Sequence, residues 1–223
     1  YDGSWTHWKL LAVTDRGDNR QFRMILGNDV AVAAARAGNV SPWPDGARLA
    51  KLAWLQAQTP DGLIVPGQFW QIELMVKDAQ RYKDSDGWGW GRWRSGDLTP
   101  YGQNARVVQE CTGCHLPVKN HDYVYTQPFS TAQVAGDALN TQAAALPPGL
   151  GIQPLDWTPV TLFIDPRAGT ISVLFAQEQD GIGAAAGGAE RALVTWKQQD
   201  DPFWFGARVA GAVVSVEAAG KAA

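Results

Sequence analysis

The spacing of apolar and polar positions changes its period along the chain, and each change marks an element. Trp5 to Val13 is apolar-rich and runs into the cluster Thr14-Asp15-Arg16-Gly17-Asp18, which predicts a strand and a hairpin turn. Gln21 to Gly27 continues as a second strand. Asn28 then stands as a helix N-cap, with Asp29 in the first turn where its charge favours the dipole. The alanine-rich stretch Val30 to Ala37 follows, and Gly38 is placed to stop it. Beyond the turn Ser41 to Gly46, Ala47 to Gln58 reads as a strand, broken by Thr59-Pro60-Asp61-Gly62, and Gln68 to Val76 as another. Lys77 to Tyr82 fits one or two helical turns.

In Gly87-Trp88-Gly89-Trp90-Gly91-Arg92-Trp93 a period of two predicts a strand with its indoles on one face. The glycines leave the other face bare, open to close approach by another backbone or a flat ligand. Asn104 to His115 reads as a helix, Tyr123-Val124-Tyr125 as a short strand, and Phe129 to Gly151 as a helix-then-loop linker.

The last third repeats the first in order. Trp157-Thr158 resembles Trp5-Thr6, Ile171 to Phe175 resembles Phe22 to Leu26, Ala192 to Gln198 resembles Ala50 to Gln56, and Phe203-Trp204 resembles Phe69-Trp70. A degenerate internal repeat accounts for this: the sheet recurs and the helix 104–115 does not. The expected division is residues 1–128, a linker 129–154 and a shorter repeat 155–223. The expected class is α+β, predominantly antiparallel β.

Composition narrows the function. The chain has 223 residues, 45% apolar, with a formal net charge of −3 and no basic block, so nucleic acid is an unsuitable partner. No run of eighteen apolar residues exists to span a membrane. Eleven tryptophans suggest aromatic-rich strands, and walls for a flat cofactor.

Cys111-Thr112-Gly113-Cys114-His115 carries the chemistry. Two thiols two residues apart, followed at once by a histidine, form the attachment signature of a c-type haem. The sulfurs become thioethers on the two vinyl groups, and His115 is delivered to one face of the iron as proximal ligand. A zinc site would need two more good ligands, whereas His7 and His121 are the only other histidines. A redox dithiol would not need the histidine. Covalent haem attachment takes place outside the cytoplasmic membrane, so a chain starting at Tyr1 without methionine reads as a processed, exported protein, expected in the periplasm.

No methionine follows the motif to act as sixth ligand. Met24 and Met75 precede it in stretches read as strands, where a thioether more often packs a core. His7 reads as surface or hydrogen-bonded core, and His121 lies too close to His115 to reach the opposite face of the same haem. The expectation is one axial histidine and an open sixth site able to bind NO, CO or small nitrogen compounds.

At this point the residues resemble a family. The ordered set is Phe22 to Asn28, Pro44 to Lys51, Val76-Lys77-Asp78, Gly87-Trp88-Gly89, Glu110 to His115 and Asp122 to Thr126. It is similar to the cytochrome P-460 and cytochrome c′-beta family, c-type haem proteins built on an antiparallel sheet. The resemblance covers about Trp5 to Gln127. In the cytochrome P-460 branch a lysine is cross-linked to the haem macrocycle and hydroxylamine is oxidised; Lys51 stands at the matching place, and Arg23 matches an arginine near the haem. In the other branch the cross-link is absent and the protein binds NO and CO. Hydroxylamine oxidation also needs a carboxylate as proton acceptor, for which Glu110, Glu73 and Asp97 are the candidates.

The resemblance thus implies a periplasmic mono-haem protein with haem c held by Cys111 and Cys114. Catalytic roles fall to Lys51, Arg23 and Glu110, and a redox partner protein takes the electrons. The alternatives are a gas-binding protein or an electron-transfer cytochrome. Leu193 stands in the repeat where Lys51 stands in the first copy, and the repeat has no cysteine, so it is expected to bind no haem. Family members pair through their sheets, so the repeat makes the chain a candidate monomeric pseudo-dimer.

Overall fold

A computed structural model describes residues 3–102, 104–132, 138–177 and 190–219. The chain is α+β and predominantly antiparallel β. The strands are β1 (Lys9–Arg16), β2 (Gln21–Gly27), β3 (Arg48–Gln58), β4 (Ile64–Lys77), β5 (Trp88–Arg94), β6 (Thr99–Pro100), β7 (Thr158–Asp165), β8 (Thr170–Ala176), β9 (Arg191–Asp200) and β10 (Arg208–Ala219). The α-helices are α1 (Asp29–Ala37), α2 (Ala105–His115) and the one-turn α3 (Thr141–Ala144).

Local chemistry sets the helix ends. The Asn28 side chain accepts the Ala31 N–H at 3.1 Å, and Gly38 closes α1 in the left-handed region with φ 81°. Asn104 caps α2 in the same way on Arg106. Where α1 leaves the sheet, Gly27 has no room for a side chain. A Cβ there would lie 2.7 Å from Leu11 Cδ1 and 3.0 Å from Ala31 Cβ, both in the core. Gly27→Val should therefore lower stability by about 1–3 kcal/mol through overpacking, read from the urea unfolding midpoint.

The strands form two antiparallel meanders, β1-β2-β3-β4 and β7-β8-β9-β10, and β5 and β6 extend the first. Each meander lays its first strand against the last strand of the other. Asp15 on β1 pairs with Arg208 on β10, and Ile164 on β7 with Ile64 on β4, which closes the pairing into a circuit. One buried hydrophobic cluster, from Leu10 and Phe22 to Trp88 and Trp196, is shared by both meanders.

The pairing registers agree residue for residue. Leu52 faces Met24 as Val194 faces Val173, and Lys51 faces Ile25 as Leu193 faces Leu174. A bulge between Leu10 and Ala12 recurs between Pro159 and Thr161. Two further bulges interrupt β3–β4, and two interrupt β9–β10 at matching positions. A Cβ on Gly67 would meet Leu55 O at 3.1 Å, and one on Gly211 would meet Lys197 O at 3.0 Å. The recurring Trp-x-Gln has a shared use: Gln56 and Gln198 both donate to the buried carboxylate of Asp15, at 2.7 and 3.0 Å.

Several sequence expectations are corrected. Trp5 lies in a 3₁₀ turn (Ser4–His7), and the register sets Trp157 against Trp8 rather than Trp5. β1 continues through Arg16, because Thr14 to Arg16 pair with Gln21 to Arg23. β4 begins at Ile64, and Lys77 is its last residue, not the start of a helix. The position matching Phe69 is Val213, while Phe203 and Trp204 lie between β9 and β10. Trp93 is on the opposite face of β5 from Trp88 and Trp90, since its position is odd and theirs are even. The bare glycine face is covered by rings of the chain itself, Tyr82 over Gly89 and Trp93 over Gly91. Tyr123 is a turn residue rather than part of a strand, and in the segment after Phe129 the one described helix is the short α3.

Candidate functional site

Side chains of alternate residues on β1 to β5 point to one face of the first meander, and there they wall a cavity of about 400 Å³. One row of cross-strand neighbours runs Ala12, Ile25, Lys51, Glu73, Arg92. The next contains Leu49, Met75 and Trp90. The opposite wall is α2, with Cys111, Cys114 and His115, followed by Tyr125 to Gln127. The second meander also contributes: Asp201, Pro202, Trp204 and Val209 line the same space.

His115 is held in one orientation. Its Nδ1 lies 2.6 Å from the Tyr123 carbonyl oxygen, a contact that needs the hydrogen on Nδ1 and leaves Nε2 as the free lone pair. Trp90 and Tyr125 pack edge-on against the ring, with centroids at 4.8 and 5.2 Å. Burial pushes its pKa down to about 4, partly offset by the Tyr123 bond, so the imidazole is neutral at pH 7 and competent to bind a metal. Cys111 is buried and Cys114 exposed, both as free thiols.

Beside them lies a charge cluster. Lys51 Nζ pairs with Glu73 Oε2, and Glu73 Oε1 accepts from Arg92 Nε at 2.8 Å. Arg92 also donates to Glu110 at 2.9 Å. Burial by itself would raise the Glu73 pKa, but Lys51, Arg92 and Arg23 around it outweigh burial and hold it below the ordinary glutamate value. Lys51 moves down for the opposite reason: burial dominates, and one carboxylate shared among three cations does not offset it. The Lys51 side chain retains 27% exposure although the chain encloses it deeply, because that surface faces the cavity. Burial also lowers the pKa of Arg23, to about 10.

The residues named from sequence separate into two groups. Lys51, Arg23, Glu73, Cys111, Cys114, His115 and Met75 converge on the cavity. Glu110 stands outside its walls on α2, half-exposed and paired with Arg92 and Tyr101. Asp97 is exposed and accepts from Thr99. Met24 is core, His7 is exposed, and His121 stacks on Phe203 with centroids 4.8 Å apart. Sequence reading missed Arg92, Trp90 and Asp201. For Arg92 a signal existed, since the strand of alternating glycines carried it in phase with Trp88 and Trp90.

The walls suit a flat, largely apolar molecule with anionic arms. Ile25, Leu49, Met75, Trp90 and Phe129 supply apolar surface, and five basic side chains (Arg16, Arg23, Lys51, Arg92, Arg94) face two carboxylates (Glu73, Asp201). Arg23 Nε and Trp90 Nε1 are buried donors with no partner among the described residues, so an acceptor-bearing ligand would satisfy them. A haem, with its apolar ring and two propionates, meets each requirement.

A family model described as Cytochrome P460 matches residues 3–126. No curated protein matches the chain. Among the described residues, no helix is long and apolar enough to cross a membrane.

Proposed function

The chain belongs to the cytochrome P460 family, and on that premise we propose that it is an exported mono-haem c-type cytochrome that oxidises hydroxylamine or a related small nitrogen compound. The observation that carries this reading is the Lys51–Glu73–Arg92 cluster, which lines the same cavity as His115. Bound haem would supply the redox centre, with a partner protein as the electron acceptor.

The side chains of the chain divide the remaining work. Cys111 and Cys114 anchor the group, and His115 presents Nε2 to the iron while the Tyr123 carbonyl keeps the ring from turning. Lys51 stands where the cross-linking branch of the family has its lysine, and burial favours the neutral, nucleophilic amine there. Glu73, kept ionised by Arg92 and Arg23, takes protons released by the substrate. Arg23 faces the cavity with an unpaired donor suited to a propionate or a polar substrate. Glu110 holds Arg92 from the rim. Covalent haem attachment takes place outside the cytoplasmic membrane, which supports the periplasm as the compartment. The second meander, with Leu193 at the position of Lys51, carries no haem and stands in for the partner subunit of a homodimer.

A second reading is supported by the apolar wall of Ile25, Leu49 and Met75, which suits an uncharged diatomic gas. Absorption spectra and the intact mass of the protein decide between them. The expected result is one haem per chain, retained on denaturation, with a further bond at Lys51 and bands displaced to the red. An ordinary five-coordinate c-type spectrum with no bond at Lys51 supports gas binding. A colourless protein ends both readings.

A further inference from the structure

Lys77 and Asp122 lie in two separate pieces of the family resemblance, and neither lines the cavity. The fold brings them together in a buried ion pair. Lys77 Nζ donates to Asp122 Oδ1 at 2.7 Å and Oδ2 at 2.8 Å, with side chains only 8% and 11% exposed. The same ammonium reaches the Asp86 carbonyl at 3.3 Å.

What the pair holds is unusual backbone. Asp122 and Tyr123 are consecutive non-glycine residues with φ of 52° and 64°. The left-handed region is disfavoured for an L-residue by its Cβ, and such residues persist only where their surroundings over-determine them. Here the Asp122 carboxylate also accepts the Trp43 N–H at 2.8 Å and the Trp88 indole N–H at 3.2 Å. That indole donates again to the Asp122 carbonyl at 2.9 Å. Three partners from three segments, through five hydrogen bonds, thus converge on one residue. The next carbonyl along the chain, that of Tyr123, is the one that meets His115 Nδ1.

We propose that the Lys77–Asp122 ion pair positions the His115 imidazole, by fixing the backbone turn that aims the Tyr123 carbonyl at Nδ1. A short, well-aimed bond from Nδ1–H gives the ring partial imidazolate character and strengthens Nε2 as a donor. Lys77 and Asp122 are positioning residues, and their reach extends to the iron because His115 binds it, so the inference rests on the reading of His115 above.

The test uses the haem-loaded protein and its Lys77→Met, Asp122→Asn and Lys119→Met variants. The iron–histidine stretching band of the reduced protein is recorded by resonance Raman, together with the reduction potential. In Lys77→Met and Asp122→Asn the band should move to lower frequency and the potential upward, because a weakened Nδ1 bond leaves a less electron-rich ligand. Lys119→Met removes exposed contacts with Asp86 and the Tyr123 ring but leaves the Lys77–Asp122 pair in place, and should change neither. Wild-type band and potential in both Lys77→Met and Asp122→Asn overturn the proposal. Should Lys77→Met fail to fold, Asp122→Asn, which keeps the shape, decides alone. If the wild-type protein itself lacks an iron–histidine band, the assignment of His115 fails instead.

Discussion

Glu73→Gln should destabilise the protein by about 3–5 kcal/mol at neutral pH, because it removes one partner of a buried pair and strands the rest. Among the described residues Glu73 is the one carboxylate touching both Lys51 and Arg92, and Arg23 lies within its field. Glutamine keeps the volume but neutralises none of them. Arg92 still has Glu110 at the rim, whereas Lys51 loses its carboxylate. The loss depends on pH, and the sign follows from the two shifts. Glu73 is lowered in the folded state, so its contribution is present above its ordinary value and disappears as pH falls through the lowered one. Lys51 is lowered too, so between its folded and ordinary values the unfolded chain binds more protons and stability rises with pH. The difference between wild type and Glu73→Gln is therefore widest between the lowered values of Glu73 and Lys51. It narrows as pH falls through the first, where Glu73 is protonated, and as pH rises through the second, where Lys51 is neutral. Urea midpoints across the pH range measure it, and a pH-independent difference would contradict the account.

Lys51→Met should do the reverse, sparing the fold and ending the chemistry. Removing the lysine leaves Glu73 with Arg92 at 2.8 Å, so no buried charge is left alone. Replacing a buried ammonium by an apolar chain of similar length is close to neutral, within about 1 kcal/mol. Under the proposed function the same change removes the bond to the macrocycle. Hydroxylamine oxidation should fall to background, and the absorption bands should lose their red displacement while the two thioethers remain. Activity that survives Lys51→Met would rule out the cross-link as its basis and leave the open iron with Glu73 as the working parts. Taken together, the two variants separate what the cluster does for stability from what it does for catalysis.

The chain shows unevenly how much of such a site can be read in advance. The helix that carries Cys111, Cys114 and His115 was legible because its signals are local: the three lie within five residues, and the Asn104 cap is written close before them. Lys51 was legible as a basic residue on an apolar strand face. Its partner was harder to place, because of register. Counting back along β3 and β4 from the tip of their hairpin sets Gln71 opposite Lys51. The two bulges near Pro66 and Gly67 shift the pairing by two residues and bring Glu73 there instead. Proline and glycine within a strand were the available sign. Asp201 and Trp204 reach the cavity from the second meander, across a separation no short-range pattern spans.

By itself the sequence determined the periods of the strands, the caps of α1 and α2, and the spacing of two thiols and a histidine. All of these depend on residues a few positions apart, where backbone geometry alone relates one side chain to the next. Tertiary structure decided which carboxylate meets Lys51, which carbonyl takes the His115 hydrogen, and that both meanders enclose one cavity. Those outcomes turn on bulges, left-handed residues and burial, and on the fall in effective dielectric that burial brings. Each is set by the whole chain packed together rather than by any window of it.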